Sequence, residues 1–269
     1  MEHHLSEVDY RSEPVLQEEK QYHLQCKRGD IAPVALVPGS RSRARKIGEK
    51  FEGAERIADN RGLLTITGVF EGREFTVTST GMGGPSASIA YEELINLGAK
   101  VLIRIGSMGG LQTDVKKGDV IIPYAAVRDD GVSSEYVSAE FPAVASPPVY
   151  RALSTSAEEM ECRHHRGLNL THAAFFSRST AYFDAWAKKR VISVEMEGSA
   201  LFVVAQLRGV WSGLIGTCFS SRAEQENGED ELDEPDRSDR LVREGVKSSV
   251  EIALRAGCKL YDSYGPEFD

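Results

Sequence analysis

The sequence predicts a single-domain α/β protein with a central mixed, twisted β-sheet flanked by helices on both faces. Short apolar runs alternate with amphipathic segments along the chain, as they do when each strand is followed by a covering helix. The runs themselves, such as Val34-Ala35-Leu36-Val37 and Val101-Leu102-Ile103, are apolar at successive positions, which suits strands buried on both sides. A length of 269 residues with 41% hydrophobic side chains fills one large core and is short for two independent ones.

Residues 1–20 are polar and charged and read as an arm preceding one domain over 21–269. Pro33 to Val37 is a buried strand that stops at Pro38-Gly39, and Ser42 to Phe51 follows as a basic helix. Leu63 to Phe70 and Glu74 to Ser79 alternate as strands around a hairpin turn at Glu71-Gly72-Arg73. Pro85 to Leu97 is a helix with Gly98 at its stop. Val101 to Ile105 is a strand running into a turn at Gly106-Ser107-Met108-Gly109-Gly110, and Gly118 to Ile122 opens the next strand. Pro147 to Met160 reads as helix, Leu168 to Phe176 as strand, and Ser193 to Leu207 as an amphipathic helix. Trp211 to Ser220 is the last strand, and Asp239 to Ala256 the closing helix. The acidic stretch Ala223 to Asp239 reads as a solvated loop.

Composition excludes several functions. With 32 basic against 41 acidic side chains the formal charge is -9, which suits neither a nucleic-acid binder nor an anionic-membrane binder. A few placed arginines can still hold a small anion. No run of 18 apolar residues offers a membrane span. Cys26, Cys162, Cys218 and Cys258 lie far apart without metal-ligand spacing, which suggests free thiols in a reducing compartment. The expectation is a soluble cytoplasmic protein. His164, His165 and His172 lack a carboxylate at ligand spacing, so no metal site is assigned.

Three strand ends carry candidate chemistry. Gly39-Ser40-Arg41-Ser42-Arg43 joins a strand to a basic helix, where free N–H groups and an arginine fork can hold an anion; a plain basic surface helix has the same composition. Arg104 sits inside an apolar strand, and its partner is either an anion or a buried carboxylate. Val194-Glu195-Met196-Glu197-Gly198 opens a helix with two carboxylates projecting in different directions; either one faces a ligand and the other solvent or a partner, or the segment is an ordinary helix start.

Taken in order, Gly81-Met82-Gly83-Gly84-Pro85-Ser86, Arg104-Ile105-Gly106-Ser107, Gly118-Asp119-Val120, Glu140-Phe141-Pro142-Ala143-Val144 and Val194-Glu195-Met196-Glu197 resemble the nucleoside phosphorylases of the uridine phosphorylase and hexameric purine phosphorylase type. The likeness runs from about His23 to the C-terminus and is nearest to the uridine enzymes. It implies a three-layer sandwich and phosphorolysis of the glycosidic bond of a uridine-like ribonucleoside, with inorganic phosphate as co-substrate and no cofactor. By position, Gly39, Arg43, Arg104 and Ser107 would bind phosphate, with Arg61 reaching in from a neighbouring subunit. Glu197 would accept the ribose 2′ and 3′ hydroxyls above Met196, and the neighbour's copy of His23 would hold the 5′ hydroxyl. Phe175 would stack on the base, with Arg178 and Arg222 beside it. Arg222 would stabilise the departing base, and Arg104 and Glu197 complete the catalytic set. The implied partners are nucleoside, phosphate and further copies of the chain: a dimer at least, and a hexamer built as a trimer of dimers as the family usually assembles.

The departures concern the base. The uracil-reading Gln-x-Arg pair of the family falls on Ser179 and Ala181, and the aspartate that protonates a purine falls on Ser221. Gly62 stands where some uridine enzymes carry a cation-binding glutamate. A purine nucleoside phosphorylase with an atypical base site therefore stays open, as does a catalytically silent nucleoside binder. A hydrolytic nucleosidase has no use for three arginines at an anion site.

Overall fold

The computed structural model describes residues 16–17, 19–221 and 240–265; Arg222, the acidic stretch and most of the arm lie outside them. In chain order the strands are β1 (Leu16–Gln17), β2 (Lys20–Gln21), β3 (Val34–Leu36), β4 (Glu52–Asn60), β5 (Leu63–Phe70), β6 (Arg73–Thr78), β7 (Val101–Gly110), β8 (Val120–Asp129), β9 (Ala143–Val144), β10 (His164–His172), β11 (Val191–Glu195) and β12 (Trp211–Ser221). The helices are α1 (Arg41–Gly48), α2 (Gly84–Asn96), α3 (Ser133–Tyr136), α4 (Pro147–Glu159), α5 (Thr180–Ala187), α6 (Gly198–Arg208) and α7 (Arg240–Tyr264).

One mixed sheet runs β11-β10-β8-β12-β7-β3-β6-β5-β4, with β9 on β8. Strand β11 also pairs antiparallel with β7, Ser193 opposite Gly110 and Val194 opposite Gly109, so five strands close on themselves. Strands β3, β6, β7 and β12 run parallel through the centre. Residues alternate across this sheet between two cores. Val34, Leu36, Val101, Ile103 and Ile105 meet α1, α4 and α7, whereas Ala35, Val37 and Leu102 meet α2 and α6. The both-face covering expected from the apolar runs is present.

Several expected elements differ. The glycine run after Ile105 continues β7 as strand. A Cβ on Gly110 would stand 2.9 Å from Val115 and 3.1 Å from Cys218, and one on Gly109 would stand 3.0 Å from Val194, so these glycines allow close packing and no turn is needed. Residues expected to open a helix at Ser193 instead form β11, because Val191-Ile192-Ser193-Val194 finds partners on both sides. Helix α6 starts only at Gly198. Strand β4 escaped notice because it is polar and mostly exposed at the sheet edge; it turns into β5 through Arg61-Gly62, both at positive φ. Strand β10 ends at His172, which leaves Phe175 in a loop before α5.

Candidate active site

The alternation that turns Leu102 toward α2 and α6 also turns Arg104 that way, into a core where it is only 4% exposed. A guanidinium there keeps its charge and must be surrounded by acceptors. Its Nε donates to Glu195 Oε2 at 3.1 Å, and its Nη2 donates to Glu197 Oε2. Burial opposes the charge, but Glu197, Tyr91 and Glu195 outweigh it and hold Arg104 above the usual arginine range. The remaining donor, Nη1, has no partner among the described residues. A Cβ built on Gly39 would lie 4.0 Å from it, so the unused donor sits against the β3–α1 loop.

That loop is fixed by its own sequence. Ser40 caps α1, its Oγ accepting from the Arg43 N–H at 3.2 Å, and this sets Arg43 in the first turn. The Arg43 guanidinium crosses to β7, where Nη1 donates to Ile105 O at 3.0 Å and Nη2 to Ser107 Oγ at 2.8 Å. Burial, and then the charge of Arg104, push the Arg43 pKa down to about 10. Both side chains remain cationic at neutral pH, and an anion between them removes the repulsion. Gly39 lets the neighbouring loop approach: a Cβ would come 3.2 Å from Gly81 O. Gly39, Arg43, Arg104 and Ser107 thus gather in one place.

Glu197 lies at the start of α6, buried, with Oε1 accepting from the Gly83 N–H at 2.6 Å and Oε2 from Arg104. Burial chiefly pushes its pKa up; Arg104 pulls the other way, and the nearby Glu195 charge adds to the rise. Met196 is half-buried beside it. The second carboxylate of the motif faces neither solvent nor ligand. Glu195 is buried and accepts from Arg104, Asn169 Nδ2, Thr171 Oγ1 and the N–H groups of Glu197 and Gly198. Glu195, Asn169 and Thr171 were missed from the sequence. The β-branched run before Glu195 and the Leu168-Asn169-Leu170-Thr171 alternation were the available signals.

The remaining expected residues are more dispersed. Phe175 is 53% exposed in the β10–α5 loop, edge-on to Phe176. Arg178 pairs with Asp129 at 2.9 Å and stacks 4.6 Å from the Tyr182 ring centre, so its charge already has a partner. The Ser221 hydroxyl donates to Val115 O at 2.8 Å. His23 is bound through its N–H and ring to Glu93, and Asn60 donates to its carbonyl at 2.8 Å. Glu93 lies ten positions beyond Gly83 along α2, a backbone rise of about 15 Å. Arg61 lies with His23 at that far end, on Tyr22, beside a cavity of about 420 Å³ lined by Tyr22, Gln25, Asn60 and Arg61. Within one chain the structure does not bring His23 and Arg61 to Arg104. His165 bonds Asp119 at 2.8 Å, and no cluster of three metal-ligating side chains occurs among the described residues.

Two guanidiniums, one with a buried donor left unused, lie beside a fixed carboxylate, a set that can hold an oxyanion and accept from a hydroxyl on an α/β scaffold. Comparison with known proteins gives that arrangement a family: residues 33–255 match the phosphorylase superfamily, and the chain belongs to it. A uridine phosphorylase of Thermococcus kodakarensis is 39% identical over 228 residues, covering 80% of this chain and 82% of the relative. A guanosine phosphorylase of Halorubrum lacusprofundi is 32% identical over 88% of this chain and 98% of its own. Among solved structures, a purine nucleoside phosphorylase from Toxoplasma gondii in complex with immucillin-H superposes with a TM-score of 0.85 at 30% identity, over 93% of this chain and 100% of that one.

Proposed function

We propose that this protein is a nucleoside phosphorylase that uses inorganic phosphate to split the N-glycosidic bond of a ribonucleoside, releasing base and ribose 1-phosphate. The observation that carries this is the unpartnered Nη1 of Arg104 set against Gly39, with Arg43 close by. Phosphate held there, with Ser107 as a further donor, presents an oxygen to C1′. Glu197 accepts the 2′ and 3′ hydroxyls and fixes the sugar over Met196. As the bond to the base breaks, positive charge grows on the ribose, and the bound phosphate beneath it stabilises that charge.

The base we assign is uracil or a close relative, stacked on Phe175, with Arg222 stabilising the departing anion. Its support is the likeness of Tyr22-His23-Leu24 and Phe141-Pro142-Ala143-Val144 to the uridine enzymes. The Ser221 hydroxyl, already given to a buried carbonyl, is no acid for a purine at neutral pH. The proposal also includes a dimer at least, and a hexamer by family habit. Its support is that His23 and Arg61 are held by Glu93 and Tyr22 in their own chain, with no described bond to Arg104 or Glu197, which leaves them to serve a neighbour's site. Four free thiols suit a reducing cytoplasm.

The test incubates the protein with uridine, thymidine, inosine, guanosine and adenosine, with and without phosphate, and measures free base and the sugar 1-phosphate (2-deoxyribose 1-phosphate from thymidine, ribose 1-phosphate from the others). Phosphate-dependent release, fastest from uridine, is expected. Release without phosphate points to a nucleosidase, fastest release from a purine reassigns the base, and no release from any nucleoside defeats the enzymatic reading.

A further inference from the structure

Glu195 meets no substrate in this reaction, yet every acceptor position on it is occupied. Oε1 takes Asn169 Nδ2 at 2.8 Å and Thr171 Oγ1 at 2.7 Å, and Oε2 takes Arg104 Nε at 3.1 Å and the Glu197 N–H at 2.8 Å. The Gly198 N–H lies 2.9 Å from both oxygens. Two carboxylate oxygens offer about four acceptor positions, so none is left for a ligand. The side chain is also only 1% exposed.

We propose that Glu195, anchored by Asn169 and Thr171, is a positioning residue that locks the phosphate arginine and the ribose carboxylate into one rigid unit. This rests on the phosphorylase reading of the site. Arginine has a long side chain with about 2 kcal/mol of rotamer entropy, and a bond at Nε fixes the plane of its guanidinium. With Nε on Glu195 and Nη2 on Glu197 the guanidinium is held at two corners, and its third nitrogen, Nη1, lies beside Gly39. The same Glu195 carboxylate caps the first N–H groups of α6, where Glu197 itself stands. One group therefore sets both the donor for phosphate and the acceptor for ribose.

The anchors are themselves held. Asn169 Oδ1 accepts from Ser193 Oγ at 2.9 Å, and Thr171 Oγ1 accepts from the Ser199 N–H at 2.9 Å. All of these residues are buried. A Cβ on Gly198 would stand 2.9 Å from Glu195 Oε1, so a glycine there keeps the carboxylate in place. Strands β10, β11 and β7 and the start of helix α6 meet at this carboxylate, and it turns three separate stretches of sequence into one site.

The experiment uses the full chain. Phosphate binding is measured by calorimetry, and kcat and KM for nucleoside and phosphate are followed across pH, for wild type, Glu195→Gln, Thr171→Val and Thr171→Ser. Glu195→Gln is expected to weaken phosphate binding about tenfold to a hundredfold, as for a lost charged hydrogen bond. It should also move the acid limb of nucleoside kcat/KM to lower pH, since the Glu195 charge that raises Glu197 is gone. Thr171→Val, close in shape but without the hydroxyl, should weaken phosphate binding about threefold to tenfold, as for a lost neutral hydrogen bond, with Thr171→Ser restoring it. An active wild type whose Glu195→Gln form keeps its phosphate affinity and acid limb overturns the inference alone. So does equal behaviour of the two Thr171 variants, which stand in if Glu195→Gln does not fold. A wild type that neither binds phosphate nor turns over nucleoside overturns the phosphorylase reading, and this inference with it.

Discussion

The end of the site that one chain gathers for phosphate and ribose is built on β7, the ends of β3 and β11 and the first turn of α1, whereas the described residues assigned to the base lie on a loop. Arg104 and Glu197 are buried and each makes bonds to two or more separate elements. Phe175 is half exposed on the β10–α5 segment, with Phe176 beside it exposed to 96%. The two ends face different demands. Charge that develops in a transition state is stabilised only by dipoles and charges already in place, and that requires rigidity. Stacking on a flat base needs one aromatic face and tolerates movement. The relatives fit this division, since the names of those enzymes share the phosphorylase and differ in the nucleoside.

The comparison breaks first, if it breaks, at Arg104. Arg104→Ala removes a donor that the attacking phosphate needs and should cost about 3–4 kcal/mol, roughly a thousandfold in kcat/KM. It also leaves Glu195 and Glu197 buried without their counter-charge, so thermal unfolding should show about 3–5 kcal/mol of lost stability. Near-normal turnover by this variant would move the phosphate elsewhere. Next in size comes Glu197→Ala. Losing hydrogen bonds to a carboxylate should lower kcat/KM for ribonucleosides by about 1.5–3 kcal/mol, and less for 2′-deoxyribonucleosides, which lack one of the two hydroxyls. Equal losses on both sugars would remove Glu197 from the ribose. In the unaltered enzyme, kcat/KM should rise with pH through the raised Glu197 range, because only the ionised carboxylate accepts two hydroxyls.

Much of the rigid end was legible in the chain. An arginine within Val-Leu-Ile-Arg-Ile is costly unless something charged meets it, and the carboxylate reading of its partner is the one observed: Glu195 and Glu197 take two of its nitrogens, and the third has no partner among the described residues. What escaped was the distance in sequence between Arg104 and its supports. Asn169 and Thr171 are ordinary strand residues until β11 pairs with β10, which sets Glu195 opposite Thr171, and closes against β7. That closure depends on the tight fit of Gly109 and Gly110, which in isolation resemble a turn. Both hairpin turns have a glycine at positive φ, but β4 was hidden because an exposed edge strand needs no apolar alternation.

The smallest expected effect is at Phe175, and it sharpens the comparison most. If the base end only stacks, Phe175→Ala should raise the nucleoside KM by about fivefold, near 1 kcal/mol, at the low end of aromatic–base stacking because the ring is half exposed. Phosphate affinity should not change, since no described contact links the β10–α5 loop to Arg43 or Ser107. Phe175→Tyr keeps the ring and should stay within about twofold of the parent, well under the 1.4 kcal/mol of a tenfold change. Should Phe175→Ala weaken phosphate as much as nucleoside, the two ends would be coupled, and the loop would help to order Arg104. Rigid chemistry joined to an adjustable base platform requires these two affinities to move separately.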